Sequence, residues 1–175
     1  GYDITNPNEL SIYETHIRDL TMDETWTGQS MRGTYSAFME KGTTYTKNAT
    51  TVKTGFDHIE EFGVKAIQLI PVFDNDNMEG INERSYNWGY NPLNYNCVDG
   101  SYATDPYNGI SRIKEFKQLI KAYSENANHT RIIMDVVYNH VSSLAQSCFN
   151  KLMPYYFFRY TKNNEPYNGS GCGNE

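Results

Sequence analysis

Residues 131–141 read RIIMDVVYNHV, an apolar run into which one carboxylate, Asp135, is set, with Asn139 and His140 at its far end. Near-continuous apolar and β-branched character of this kind predicts, for residues 131–138, a strand buried on both faces, as in a parallel sheet. Residues 64–71 (VKAIQLIP) share that character and are stopped by proline. Residues 11–20 (SIYETHIRDL) alternate residue types and are rich in β-branched and aromatic side chains, which predicts another strand. Residues 55–62 (GFDHIEEF) predict a short helix, with Gly63 supplying a left-handed C-cap. Ser111 is expected to cap a helix running to about residue 124, with Ile113, Phe116, Leu119, Ile120 and Tyr123 at helical spacing. Residues 72–109 read as a polar loop rich in Asn, Gly and Pro, and residues 141–175 as an aromatic, loop-like tail.

Strand, helix, strand, helix, strand implies right-handed βαβ units and a parallel sheet. Three strands do not close a barrel, and a (β/α)8 barrel takes about 250 residues against the 175 present. The expected fold is therefore α/β: a partial (β/α)8 TIM barrel comprising the first three strands, their helices and the loop after strand three. On this reading residues 1–175 are the N-terminal, incomplete segment of a catalytic domain, and two strand edges lie open. The alternative is a small open three-stranded sheet in the flavodoxin style. The long excursion at 72–109 weighs against it, because such a loop is costly unless it builds a site.

Composition narrows the function. Hydrophobic residues make up 38% and charged residues 21%, compatible with a packed core rather than a disordered chain. A net charge of −6 without a basic cluster speaks against a nucleic-acid partner, and no apolar run reaches the roughly 18 residues of a membrane span. Cys97, Cys148 and Cys172 form neither a metal-spaced set nor an even disulfide framework, which leans towards a bacterial cytoplasm. The sequons at Asn48, Asn128 and Asn168 occur in a chain so rich in Asn that chance explains them about as well as function does. Aromatic residues reach 14%, with 15 Tyr, and rings accompanied by many amides suit a sugar surface.

Two segments concentrate chemistry. Asp135, Asn139 and His140 fall at the C-terminal edge of the third strand, where parallel α/β proteins bind ligands. A carboxylate in an apolar strand requires a hydrogen-bonding or charged partner, so Asp135 reads either as a site residue or as a core lock for the loop. Residues 85–92 (SYNWGYNP) place Tyr86, Trp88 and Tyr90 at alternate positions with Asn87 and Asn91 between them. Gly89 allows close backbone approach and Pro92 stiffens the exit. This reads as a stacking platform of which one or two rings face substrate, or as rings that pack the loop down. His16 shares strand parity with Glu14 and Arg18 and is expected to pair within that polar row. His58 reads as a surface residue, and Glu83 and Asp99 as solvated loop carboxylates.

Taken in order, these segments resemble glycoside hydrolase family 13, the alpha-amylase superfamily, and within it the type I pullulanase group. Residues 11–21 (SIYETHIRDLT) resemble the family's first barrel strand and 63–73 (GVKAIQLIPVF) its second. YNWGYNP is similar to a signature usually written YNWGYDP, with Asn91 in place of Asp, and 100–106 (GSYATDP) matches the family segment that comes after that signature. DVVYNHV resembles the family's first conserved region, and residues 149–173, ending in GSGCG, the loop after strand three. The resemblance implies retaining cleavage of α-1,6-glucosidic bonds in starch, glycogen or pullulan. Tyr90 would stack on the sugar before the cleaved bond, His140 would hydrogen-bond it, and Asp135 would hold neighbouring side chains in place. Trp88 and Asn87 would contact the branch point, and Asn139 would brace the loop. No cofactor is required; calcium is an optional ion with Asn139 its candidate contact. The partners implied are an α-glucan oligosaccharide or polysaccharide and the remainder of the chain's own barrel. The nucleophilic Asp and acid Glu are expected beyond Glu175, so no catalytic residue is assigned here and this chain alone is expected to be inactive. An isoamylase-like or branching enzyme of the same family, or a non-catalytic glycan-binding remnant, is the alternative.

Overall fold

The computed structural model describes residues 6–76 and 86–175. After a 3-10 turn at Pro7–Glu9 come β1 (Ile12–Thr15), α1 (Asp19–Met22), α2 (Tyr35–Phe38), β2 (Thr44–Lys47), β3 (Thr50–Lys53), α3 (Gly55–Phe62) and β4 (Ala66–Leu69). Then follow β5 (Phe73–Asn75), β6 (Pro92–Val98), α4 (Gly109–Ser124), β7 (Arg131–Met134) and α5 (Cys148–Leu152). The strands form a parallel sheet in the order β1-β4-β7 and two antiparallel pairs, β2-β3 and β5-β6.

The parallel sheet is an open wall of three strands. Ile12 pairs with Ala66 and Ala66 with Arg131, and the register runs without a break to Thr15, Leu69 and Met134. The alternation of strand side chains then separates two faces. Tyr13, Ile67, Leu69 and Ile132 join the core with Phe56 and Ile59 of α3, Phe116, Leu119 and Tyr123 of α4, and Tyr35 and Phe38 of α2. Tyr123 fixes this layer: its ring lies 4.6 Å from that of Phe56 and 5.5 Å from that of Phe38, and its hydroxyl donates to the Phe38 carbonyl at 2.9 Å. The opposite face carries Glu14 and Gln68, joined at 3.3 Å and exposed or half-buried. Central β4 is largely buried, whereas Ile12 on β1 and Met134 on β7 are exposed, so both outer strands present open edges.

Several expected boundaries shift. The strand expected over 11–20 stops at Thr15, because the next residues turn: the Arg18 amide donates to His16 Nδ1 at 3.0 Å and residues 19–22 coil into α1. The third strand ends at Met134 rather than at 138, which places Asp135 just past its end. The cap of α4 is Asn108 and not Ser111; its carboxamide oxygen accepts from the amides of Ile110 and Ser111. Ile113 and Ile120 lie exposed on that helix, so its buried stripe is the narrower row Phe116, Leu119 and Tyr123. Gly63 does cap α3, with φ 80° and its amide donating to the carbonyls of Ile59 and Glu60.

The excursion at 72–109 is more than loop. Strands β5 and β6 form a ribbon with register shifts on either side of Asp74, consistent with bulging. The tail also carries α5 and a bridge between Tyr160 and Pro166. It is clipped back by Asn174, whose buried carboxamide accepts from the Val141 amide at 2.9 Å and donates to the Val141 carbonyl at 2.8 Å. Asn174→Ala leaves both Val141 groups unpaired in the interior. The expected cost is about 2–3 kcal/mol, with faster limited proteolysis within 159–175 as the check.

Candidate active-site wall

The C-terminal ends of β1, β4 and β7 bring His16, the segment after Pro71 and Asp135 to one edge, and the aromatic run 86–90 lies across them. Gly89 makes that crossing close. Its φ is +83°, and a Cβ built on it would sit 2.8 Å from the Pro71 carbonyl oxygen. Asn87 shapes the turn: its carboxamide oxygen accepts from the Gly89 amide at 2.8 Å and its Nδ2 faces Asp76 at 3.4 Å. The side chain is thus engaged within the loop.

Tyr90 joins the run to the strand end. Its hydroxyl donates to Asp135 Oδ2 at 2.7 Å, which supplies the partner that a half-buried carboxylate requires. Burial, reinforced by the bond to Asp135 and by that charge, pushes the phenol up to about 12, so it remains a donor. Trp88 and Tyr86 stand outward, 58% and 57% exposed, with the indole N–H donating to the Tyr86 hydroxyl. Neighbouring rings meet edge to face: Tyr86 with Trp88 at 6.3 Å, and Trp88 with Tyr90 at 6.5 Å. The result is a stepped apolar surface with two wet rings and one pinned ring.

His140 is only 7% exposed. Its Nδ1 lies 3.1 Å from Asn139 Oδ1, its carbonyl accepts from the Tyr95 hydroxyl at 2.6 Å, and its buried Nε2 has no protein partner. A buried ring nitrogen left open is what an incoming hydroxyl could satisfy. His140 and Asn139 also line a cavity of about 320 Å3 with Tyr95, Tyr138, Phe149 and Phe157, a set that does not include Trp88, Tyr90 or Asp135. Asn139 Oδ1 is taken up by His140, and among the described residues no group of three His, Cys, Asp or Glu side chains could hold a metal. No step is routed through a calcium ion. Among the described residues no helix is long and apolar enough to cross a membrane.

A family model described as "Alpha amylase, catalytic domain" matches residues 36–168. The chain belongs to the alpha-amylase catalytic-domain family. Within that family it is 38% identical to the pullulanase of Bacillus subtilis (strain 168) across 98% of its own length and 23% of that protein. The crystal structure of pullulanase from Paenibacillus barengoltzii in complex with maltohexaose and alpha-cyclodextrin superposes with a TM-score of 0.87. It is 40% identical, covering 99% of this chain and 26% of that one. Pullulanase from Bacillus acidopullulyticus gives a TM-score of 0.87 and 42% identity, covering 98% and 20%. The chain thus spans about a fifth to a quarter of the length of these relatives. Its parallel strands are, accordingly, part of the barrel-like fold of the alpha-amylase catalytic domain.

Two sequence expectations are corrected for this alpha-amylase family chain. Asp99 is no solvated loop carboxylate: it is 1% exposed, with Oδ2 accepting from the Asn75 amide at 3.2 Å and from Asn75 Nδ2 at 3.0 Å. Its Oδ1 accepts from the Ser101 amide at 2.7 Å and from the Ser101 hydroxyl. His16 does not pair within a row of Glu14 and Arg18 side chains but donates across to the Asn87 carbonyl. Both residues support the ribbon and loop, and neither advertises this role by spacing. His58 is exposed, as expected, against the ring of Phe62. Glu83 lies outside the described residues. Arg112, also unflagged by sequence, braces the base of the ribbon by donating to the Val98 and Pro106 carbonyls and lying 3.9 Å from Asp74.

Proposed function

We propose that this chain forms the substrate-contacting opening of the catalytic barrel of a glycoside hydrolase that debranches starch, glycogen or pullulan at α-1,6-glucosidic bonds. One observation carries the reading: the Tyr90–Asp135 bond, which locks an otherwise exposed aromatic run onto the C-terminal edge of the parallel strands. Apolar ring faces suit the C–H faces of glucose, while the open nitrogen of His140 suits a sugar hydroxyl. The complex of the P. barengoltzii relative with maltohexaose supports an α-glucan as the ligand class. In this reading Tyr90 stacks on the sugar, His140 hydrogen-bonds it, and Trp88 and Asn87 lie towards the branch point. Asn139 orients His140.

Retaining hydrolysis takes two carboxyl groups about 5–5.5 Å apart. Asp135 accepts from Tyr90 and serves as its anchor, and we assign the nucleophile and the acid to the remainder of the barrel. The chain alone is therefore a binder without the reaction. Isothermal titration with maltotriose tests the platform. Tyr90→Ala is expected to weaken binding about tenfold, equivalent to about 1.4 kcal/mol. Tyr90→Phe keeps the ring, loses only the bond to Asp135, and is expected to weaken binding a few-fold. Equal affinity in wild type and Tyr90→Ala would remove Tyr90 from the site.

A further inference from the structure

His16 follows the last residue of β1, so its ring stands at the strand edge that carries the site. It is 4% exposed, enclosed edge-on by the Tyr102 ring at 5.6 Å and faced by Tyr86 at 6.1 Å. Its two nitrogens are committed in different ways. Nδ1 accepts from the Arg18 amide at 3.0 Å, which fixes the ring proton on Nε2. Nε2 then donates to the Asn87 carbonyl at 2.9 Å, with the Tyr102 hydroxyl 3.3 Å away. Asn87 lies between the two exposed rings of the platform. The run is thus held at two points three residues apart, by His16 at Asn87 and by Asp135 at Tyr90.

We infer that His16 is a positioning residue for glucan recognition: in its neutral, Nε2-protonated form it holds Tyr86 and Trp88 in place over the strand ends through the Asn87 carbonyl, and protonation at Nδ1, by removing the acceptor for the Arg18 amide that orients the ring, loosens that hold. This rests on the glucan reading of the platform. The imidazolium has no acceptor left for the Arg18 amide and would point a second N–H at it. Burial lowers the pKa from the usual 6.5 and Arg18 acts in the same direction, against the Asn87 carbonyl and the Asp19 charge, which favour the charged ring. Burial holds the facing Tyr102 phenol neutral. Because the folded chain binds this proton less readily than the unfolded one, the stability the group contributes is present at neutral pH and is lost as pH falls below about 6.5.

The test uses the chain labelled with 5-fluorotryptophan and read by 19F NMR. Trp88 reports the platform and buried Trp26 reports the fold. Glutamine places an amide where Nε2 lies and asparagine places one where Nδ1 lies. His16→Gln therefore keeps the donor to Asn87, and His16→Asn keeps only the acceptor for Arg18. Without sugar, His16→Gln is expected to leave the Trp88 resonance in place and His16→Asn to shift and broaden it, with Trp26 unchanged in both. Maltotriose affinity should stay within about threefold for His16→Gln and fall about tenfold for His16→Asn. Identical spectra for the two variants would mean that His16 merely fills space, and would overturn the inference. If both variants lose the Trp26 signal, acid titration of the wild type decides: Trp88 moving below pH 6.5 ahead of Trp26 supports the inference, and joint movement overturns it. A wild-type Trp88 resonance indifferent to maltotriose would instead sink the glucan reading, independently of the sugar-free comparison.

Discussion

Gly89→Ala is expected to lower the melting temperature by roughly 4–10 °C, on the scale of about 2–4 °C per kcal/mol for a domain of this size, and to abolish measurable maltotriose binding. The backbone at Gly89 has φ +83°, which costs a residue with a side chain on the order of 1 kcal/mol or more. The new Cβ would also stand 2.8 Å from the Pro71 carbonyl oxygen and 3.3 Å from Pro71 Cβ. Pro71 is buried and adjoins the end of β4, so the rigid side of this clash is the sheet. The segment 86–90 must therefore lift, and in lifting it stretches the bonds from His16 to Asn87 and from Tyr90 to Asp135. The aromatic core of Phe38, Phe56 and Tyr123 contains none of the residues that must move and should keep its near-ultraviolet circular dichroism. Thermal melting and titration on the same sample check both halves of the expectation.

The second large effect is at Asp99. Its two oxygens accept from four donors on Asn75 and Ser101, and these bonds tie the start of the 99–106 turn to β5. Asp99→Asn replaces one accepting oxygen by an N–H2 that faces donors. The cost is expected to be roughly 2–3 kcal/mol near pH 4, where the carboxyl is neutral, from buried donors left without an acceptor. The pH dependence is distinctive. Burial, opposed by those hydrogen bonds, raises the carboxyl to about 6, against about 3.9 in an unfolded chain. Between these values the folded chain binds a proton that the unfolded chain does not. The contribution of Asp99 is therefore present below about pH 4 and is lost as pH rises through 6, by up to about 3 kcal/mol. The stability gap between wild type and Asp99→Asn should narrow over that window. Denaturant unfolding from pH 4 to 7 measures it, and a gap that widens with pH would contradict the assigned ionisation.

Local interactions were the legible ones. Gly63 as a left-handed cap, the apolar run of β4 and the alternating rings of Tyr86, Trp88 and Tyr90 are local patterns, and each appears where the pattern placed it, whereas the strand expected to be buried over 131–138 stops at Met134 and is exposed or half-buried, as an outer strand of this sheet. The requirement that Asp135 find a partner was also legible, because a carboxylate after an apolar strand demands one; that Tyr90 answers it was not. His16, Asp99 and Asn174 escaped for one shared reason. Each is bonded to a residue or backbone group at least 24 positions away, His16 to Asn87, Asp99 to Asn75 and Asn174 to Val141, and no spacing rule links such pairs. The hairpin of β2 and β3 turns on Asn48 and Ala49, both at positive φ, which is the geometry of a tight hairpin turn. Ala49 does not signal that geometry as glycine would. Likewise Ile113 and Ile120 have helical spacing but lie outside the narrower stripe that packs against α2 and α3.

Native mass spectrometry of the chain incubated with a branched maltooligosaccharide containing one α-1,6 bond tests the central claim most directly, since one spectrum reports both binding and cleavage. The account predicts a complex of the chain with the intact oligosaccharide, weakened in Tyr90→Ala, and no cleaved sugar. Cleavage products formed by the chain alone, or no complex at all, would contradict it.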